Sequence, residues 1–502
     1  MSDIILPAPT PERPEILAPA GDAQCFTAAL AAGADAVYLG LKHFSARMQA
    51  ENFGLTDLSR LTDLAHEEQA RVYVAMNVLV KPQETAAAYR LLHRLARQVR
   101  PDGIIVQDLA MLDLARQAGF EGEINLSTLA NITHPQGLQT ARDLGASRVI
   151  LPRELSIDEI REKYGIERVI KLASNENPLG TSPLVQHTLE THVGLAFRYP
   201  QAGNPRLVKA IAAYHGVSPS RIIVGDGSDE VIDLLFRICV EPGVNNAVAF
   251  MPCFGIYTTQ AALCGVELRQ TPVNADFSFP WGNLLKLVDD KTSLVFVTTP
   301  DNPSGYTPPV AELETLAKAL PDTCLLVLDE AYMDFTDDEA DYSLAKRLDE
   351  FPNVIISRTF SKSFGMAGLR LGYAIVPEEL ADHYWRVRLP FSVNLMAEEA
   401  GIAALQDVAF HDETVRVVRE GRAWLTGELT KLGCRVFPSQ SNFLMFELPA
   451  DGPNAASLFE DLLRRGIILR PLTSYGLPRN LRVSVGTAEE NTMLINAMRE
   501  LL

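Results

Sequence analysis

The chain has 502 residues, too many for one ordinary hydrophobic core and enough for two or three domains. Hydrophobic residues make up 47% and charged ones 22%, which excludes a disordered chain; a net charge of −18 with no offsetting basic stripe argues against a nucleic-acid partner. Cys25, Cys239, Cys253, Cys264, Cys324 and Cys434 stand singly, with no CxxC pair and no histidine at ligand spacing. They predict no metal site and suit the reduced thiols of a cytoplasmic protein, most of them buried as small hydrophobes. No signal peptide opens the chain and no apolar run reaches membrane-spanning length, so no membrane partner is expected.

In chain order, residues 1–13, with Pro7-Ala8-Pro9-Thr10-Pro11, read as a disordered lead. Residues 14–160 follow with short β-like runs at 15–18, 36–39, 72–75, 103–106, 123–126 and 148–151, separated by Ala- and Leu-rich helical stretches such as 86–92. Strand alternating with helix means parallel β/α architecture, but six strands are too few for a closed barrel, which needs roughly 250 residues. Open sheet edges are the expected consequence. Ser156 with Glu159 reads as a capping box that starts a helix at the join, and no Gly-, Ser- or Pro-rich spacer separates the two parts.

Beyond the join, the strand Ile222-Ile223-Val224 turns through Gly225-Asp226-Gly227-Ser228-Asp229 into a helix expected over 230–240. Backbone N–H groups at such a helix start favour a phosphate. Asn302-Pro303-Ser304-Gly305 and Asp329-Glu330-Ala331-Tyr332 each close a strand-like run. Arg358-Thr359-Phe360-Ser361-Lys362 follows the apolar run Val354-Ile355-Ile356, and Arg370 comes eight residues after Lys362. A lysine, an asparagine, an aspartate, a tyrosine and an arginine in this arrangement form the working set of a pyridoxal-phosphate site. Taken singly, each also has an ordinary reading. The Gly-rich stretch is a tight turn, Asn302 to Gly305 a loop, Phe254 core packing and Arg470 a rim charge.

Two family resemblances organise these motifs. Glu15 to Gly21, Gly33 to Gly40, Phe44 to Arg47, Glu51-Asn52-Phe53, Ile105 to Asp108 and Pro152 to Leu155 resemble the N-terminal part of the collagenase-like peptidase family, whose barrel is here truncated. That family includes proteases and RNA- or quinone-hydroxylation factors, and its downstream cysteine-rich signature has no counterpart in this chain. Leu172 to Gly180, Arg198-Tyr199-Pro200 and Asn480 to Gly486 resemble the class I and II pyridoxal-phosphate aminotransferases of fold type I, most closely the histidinol-phosphate branch. The implied fold for 161–502 is a large sheet domain with helices on both faces (about 195–390) plus a small α/β domain (about 391–502 with 161–194). Both families carry a similar acidic helix at the join. The chain therefore reads as a fusion by recombination, or as a join made in sequence assembly.

The resemblance also assigns roles. Lys362 is implied to bind the cofactor covalently and to move the substrate proton. Asp329 is implied to hold the pyridine nitrogen, with Asn302 and Tyr332 on the phenolic oxygen and Phe254 stacked on the ring. Gly227, Ser228, Asp229, Thr359, Ser361 and Arg370 surround the cofactor, and Tyr199 reaches the cofactor phosphate of a neighbouring subunit, which implies a homodimer. Arg470 and Arg482 are implied to receive a substrate phosphate, and Asn177 to contact substrate. Most relatives have Thr where Ser304 stands. The family's N-terminal arm, which carries an aromatic over the substrate, should precede Arg161, where the barrel segment lies instead. The expected reaction passes the amino group of histidinol phosphate to 2-oxoglutarate, yielding imidazole acetol phosphate and glutamate in histidine biosynthesis. An aromatic amino acid aminotransferase and a phospho-amino-acid decarboxylase are the alternatives within the cofactor class. From other classes, the first part would act as a nucleic-acid or quinone modification module, or merely scaffold a fusion.

Overall fold

Six short apolar runs pair in parallel and in sequence order: β1 (Leu17–Ala20), β2 (Ala36–Gly40), β3 (Arg71–Met76), β4 (Gly103–Val106), β5 (Glu123–Leu126) and β6 (Arg148–Val149). The computed structural model describes residues 16–41, 44–45, 53–130, 135–150, 161, 164–166 and 168–502. They fall into two compact units, Met1–Ser156 and Ile157–Leu502. The lead 1–13, Glu51-Asn52, Pro152 to Leu155 and the helix start at Ser156 lie outside the described residues.

In the first unit, successive strand residues point to opposite faces. Val37, Leu39, Val72, Val74, Ile104 and Val106 enter one core with Phe26, Leu58 and Leu92 from the helices. On the other face Ala36, Tyr73 and Ile105 form a small cluster of their own. Helices on one face and a thin apolar cluster on the other are what a segment of a β/α barrel presents. Among the described residues, β1 and β6 are each paired on one side. β1 begins two residues later than the sequence pattern suggests, at Leu17.

The second unit contributes β7 (Ile170–Lys171), β8 (Ile222–Asp226), β9 (Asn246–Met251), β10 (Glu267–Pro272), β11 (Thr292–Thr298), β12 (Leu325–Asp329), β13 (Val354–Thr359) and β14 (Leu371–Ile375). After them come β15 (Arg435–Val436), β16 (Phe443–Glu447), β17 (Ile467–Ile468), β18 (Arg470–Pro471) and β19 (Asn480–Ser484). The large sheet has the order β10-β9-β11-β12-β13-β14-β8, parallel except that β14 runs antiparallel to both neighbours. Both its faces are covered, as near-continuous Val, Ile and Leu runs require. Val224, Val248, Val295, Leu326 and Ile356 join one core with Ile211 and Leu313. Their chain neighbours Ile223, Ala247, Phe296, Val327 and Ile355 join a second with Leu235 and Tyr257.

A four-stranded antiparallel sheet, β15-β16-β19-β18, packs against helices Val408–Lys431, Ala455–Leu463 and Ala488–Leu501. β7 pairs in parallel with β17 in a separate two-stranded sheet, which ties the segment after Arg168 to the strand that leads into β18. The expectation that most cysteines are buried holds only for Cys324 and Cys434; Cys239, Cys253 and Cys264 are half-buried. It fails for Cys25, which is exposed because its helix buries Phe26 instead. Among the described residues no helix is long and apolar enough to cross a membrane.

Candidate active site

Parallel strands deliver their last residues to a common edge, where ligands of open α/β sheets bind. Thr298 ends β11, Asp329 ends β12 and Thr359 ends β13; Thr298 and Asp329 lie side by side in register. β8 runs into the helix Gly227–Cys239, three residues earlier than the sequence suggested, because Gly227 takes a positive φ of 78° at the first helical position. Gly372 on β14 lets that helix start approach: a Cβ there would strike the backbone of Gly227 and Ser228. These elements enclose a cavity of about 160 Å³ lined by Ser228, Asp229, Phe254, Thr298, Asn302, Asp329, Ala331, Tyr332, Thr359, Ser361, Lys362, Ala367 and Arg370.

Asp329 is 2% exposed and accepts from Tyr257 O–H at 2.8 Å and from the Ala331 N–H at 3.3 Å. Burial pushes its carboxyl up to about 6, with the Tyr257 bond opposing. Lys362 Nζ donates to the Ser174 carbonyl at 3.2 Å. Burial, helped by the charge on Arg482, lowers its ammonium to about 8, which raises the share of neutral amine near neutrality well above that of an ordinary lysine. Tyr332 O–H accepts from Asn175 Nδ2 at 3.0 Å. Asn302, which lines the cavity, accepts at Oδ1 from Arg482 Nη1 at 2.5 Å, so the NH2 group is the donor end of that amide.

At the other end, Arg370 Nη2 donates to Asp229 Oδ2 at 3.1 Å. The Gly227 N–H is committed to the Arg370 carbonyl at 3.1 Å, leaving the helix start at Ser228 and Asp229 to face the cavity. Thr359 Oγ1 accepts from the Ser361 N–H at 3.1 Å. A cluster of hydroxyls, an arginine and a helix N-terminus suits a phosphate. A buried carboxylate at the far end suits a protonated ring nitrogen, an amide donor suits a phenolic oxygen, and a largely desolvated amine suits covalent attachment. The residues fit pyridoxal phosphate.

Five predicted residues are not part of this lining: Gly227 and Arg482 adjoin it through the contacts above, and three stand elsewhere. Asn177 Nδ2 donates to the Ser363 carbonyl at 2.9 Å and to Thr414 Oγ1 at 3.3 Å, while its Oδ1 accepts from the Leu179 N–H. Tyr199 is 80% exposed and stacked on Phe391 at 4.7 Å between ring centroids. Arg470 on β18 lies directly opposite Arg482 on β19, the pairing that sets two arginines side by side. Sequence reasoning missed Tyr257, which holds Asp329, and Asn175, which holds Tyr332 from a left-handed conformation (φ 55°). An Asn between two polar residues before Asn177-Pro178 was the available signal for the latter.

Residues 167–498 match the family model described as aminotransferase class I and II, and residues 21–169 match that of peptidase family U32. The chain is 62% identical over 348 residues to a histidinol-phosphate aminotransferase of Nitratidesulfovibrio vulgaris, covering 69% of this chain and 92% of the relative. It is 60% identical over 349 residues to the protein of the same name from Oleidesulfovibrio alaskensis, covering 69% and 91%. Among solved structures, histidinol-phosphate aminotransferase from Sinorhizobium meliloti in complex with pyridoxal-5'-phosphate superposes with a TM-score of 0.63 at 28% identity, over 70% of this chain and 96% of that one. Aspartate aminotransferase of Thermus thermophilus with maleate shares the fold, with a TM-score of 0.61 at 22% identity over 70% and 97%.

Proposed function

The chain belongs to the aminotransferase class I and II family, and from that premise we propose that it transfers the amino group of histidinol phosphate to 2-oxoglutarate, using pyridoxal phosphate, in histidine biosynthesis. The observation that carries the choice of donor is the Arg470–Arg482 pair, in register across β18 and β19, with Arg482 fastened to Asn302 at the cavity. Two guanidinium groups suit a phosphate dianion better than a lone carboxylate. The relatives that are 60–62% identical carry the name of this activity.

Pyridoxal phosphate, when bound, supplies the electron sink that makes the substrate Cα–H acidic. The residues of the chain supply the rest. The backbone N–H groups at the helix start (Ser228, Asp229), with Thr359, Ser361 and Arg370, would hold its phosphate, Asp329 its ring nitrogen, Asn302 and Tyr332 its phenolic oxygen, and Phe254 its face. Lys362 Nζ is the group that takes and returns the proton at Cα, a role its lowered basicity suits. Arg482 and Arg470 orient the donor by its charged ends. Tyr199, its stacking partner Phe391 and, close by in the chain, Val193 and Phe197 are 43–80% exposed, apolar side chains that a second copy would cover in a homodimer. The first part of the chain enters no step of this reaction.

The purified chain, loaded with pyridoxal phosphate, is expected to form glutamate from 2-oxoglutarate with histidinol phosphate far faster than with phenylalanine or tyrosine. A higher kcat/KM for an aromatic amino acid would replace this reading with the aromatic aminotransferase.

A further inference from the structure

Behind the cavity lies a set of buried charges that the proposed reaction does not use. Arg358 precedes Thr359 in β13, and Glu330 follows Asp329 at the end of β12. Arg358 Nη2 and Nε donate to Glu330 Oε2 at 2.6 and 3.0 Å, with the two side chains 4% and 0% exposed. Ser343 also donates to Glu330, at 2.8 Å, and Glu339 accepts from Arg358 at 2.7 Å. Arg358 Nη1 lies 3.5 Å from Asp334 Oδ1.

Asp334 stands in the single turn Met333–Phe335 that follows Tyr332, and its Oδ2 accepts a short hydrogen bond from Ser363, the residue after Lys362. His411 Nε2 is 3.7 Å from the same oxygen. Burial alone would raise the Asp334 carboxyl, but His411, Arg358 and Ser363 outweigh it and hold the group well below the usual range.

Buried ion pairs contribute little net stability over apolar packing of the same shape, so this set calls for another reason. Its members share a pattern of adjacency. Glu330 is bonded to Asp329, Asp334 stands two residues from Tyr332, and Ser363 is bonded to Lys362. We propose that Asp334 and Arg358 are positioning residues. Through Ser363 they fasten the Lys362 segment to the Tyr332 turn and to the end of β12, fixing the lysine, tyrosine and aspartate relative to one another. The inference rests on the aminotransferase reading of the cavity. It gives a bracing role to residues for which the resemblance implied none, and which line no part of the cavity.

The test uses the full chain loaded with pyridoxal phosphate. Ser363→Ala removes the tether and leaves every charge in place; Asp334→Ala removes the anchor. Each is expected to lower kcat by about 10- to 100-fold, the effect of a small misplacement at a reacting centre. KM for the donor should change little, while bound cofactor should dissociate faster than in the wild type. Because both act through one contact, the double variant should be no worse than the poorer single variant. Ser363→Thr should restore the wild-type values. If Asp334→Ala fails to fold, Ser363→Ala and Ser363→Thr alone decide. Wild-type kcat and cofactor retention in Ser363→Ala, or losses that multiply in the double variant, would overturn the inference while leaving the aminotransferase reading intact. A wild type that holds no cofactor would defeat that reading, and this inference with it.

Discussion

Asp329 carries opposite instructions for the empty and the loaded protein. Buried and without cofactor, its carboxyl is pushed up to about 6 against an ordinary value of 3.8. A raised carboxyl favours the fold below the ordinary value and loses that contribution as pH rises through 6. Asp329→Asn should therefore make the cofactor-free protein more stable at pH 8 by about 1–3 kcal/mol, with the gain shrinking toward pH 4. The same variant should hold pyridoxal phosphate poorly, because the partner of the ring nitrogen is gone. Chemical denaturation of the cofactor-free protein at pH 5 and pH 8 reads the first effect, and a gain that is equal at both would contradict it. Arg470→Ala makes a second claim at this scale. Loss of charge-assisted bonds should cost about 1.5–3 kcal/mol, or about 10- to 150-fold in kcat/KM, for histidinol phosphate and much less for phenylalanine. Equal losses for both donors would remove Arg470 from the phosphate site. The main site residues were legible because strand ends and adjacent polar motifs mark them: Asp329 after four apolar residues, Lys362 shortly after another apolar run. Tyr257 and Asn175 were not, since they meet Asp329 and Tyr332 across 72 and 157 residues of chain, a contact no local pattern encodes.

Elements matter here chiefly through how closely their backbones approach. The helix Gly227–Cys239 can point its start into the cavity only because Gly372 leaves room beside the backbone of Ser228. Gly372→Ala should push the helix start off β14, destabilise the unit by about 1–3 kcal/mol and weaken cofactor binding. Gly368→Ala, with open space where its Cβ would stand, should do neither. Equal cofactor affinity in the two variants, measured by fluorescence titration, would show that the approach is unimportant. The six described strands of the first unit all fall on runs expected from the sequence, clearest where apolar residues are continuous as in β4. The antiparallel insertion of β14 between β13 and β8 was not visible, since strand order is decided by crossovers. The split of 467–471 into β17 and β18, which pair with different partners, was hidden for the same reason.

At the scale of the molecule, two family matches meet at residues 167–169, where the chain is covered by both. The composition signalled more than one domain but gave no sign of the seam, because no linker marks it. The two units each have their own core. Removing residues 1–155 should leave pyridoxal phosphate binding unchanged, and limited proteolysis of the intact chain should cut the first unit before the second. Edge strands paired on one side only among the described residues, and a smaller core, lower the free energy of local opening there. Loss of the cofactor on truncation, or equal resistance of both units, would make them one cooperative body. The most direct measurement is borohydride reduction of the intact, cofactor-loaded chain, with and without histidinol phosphate, followed by peptide mass spectrometry. The proposed role of Lys362 predicts a pyridoxyl label on that lysine alone, strongly diminished when histidinol phosphate is added first and displaces it. A label on another lysine, no label, or a Lys362 label unaffected by histidinol phosphate would contradict it.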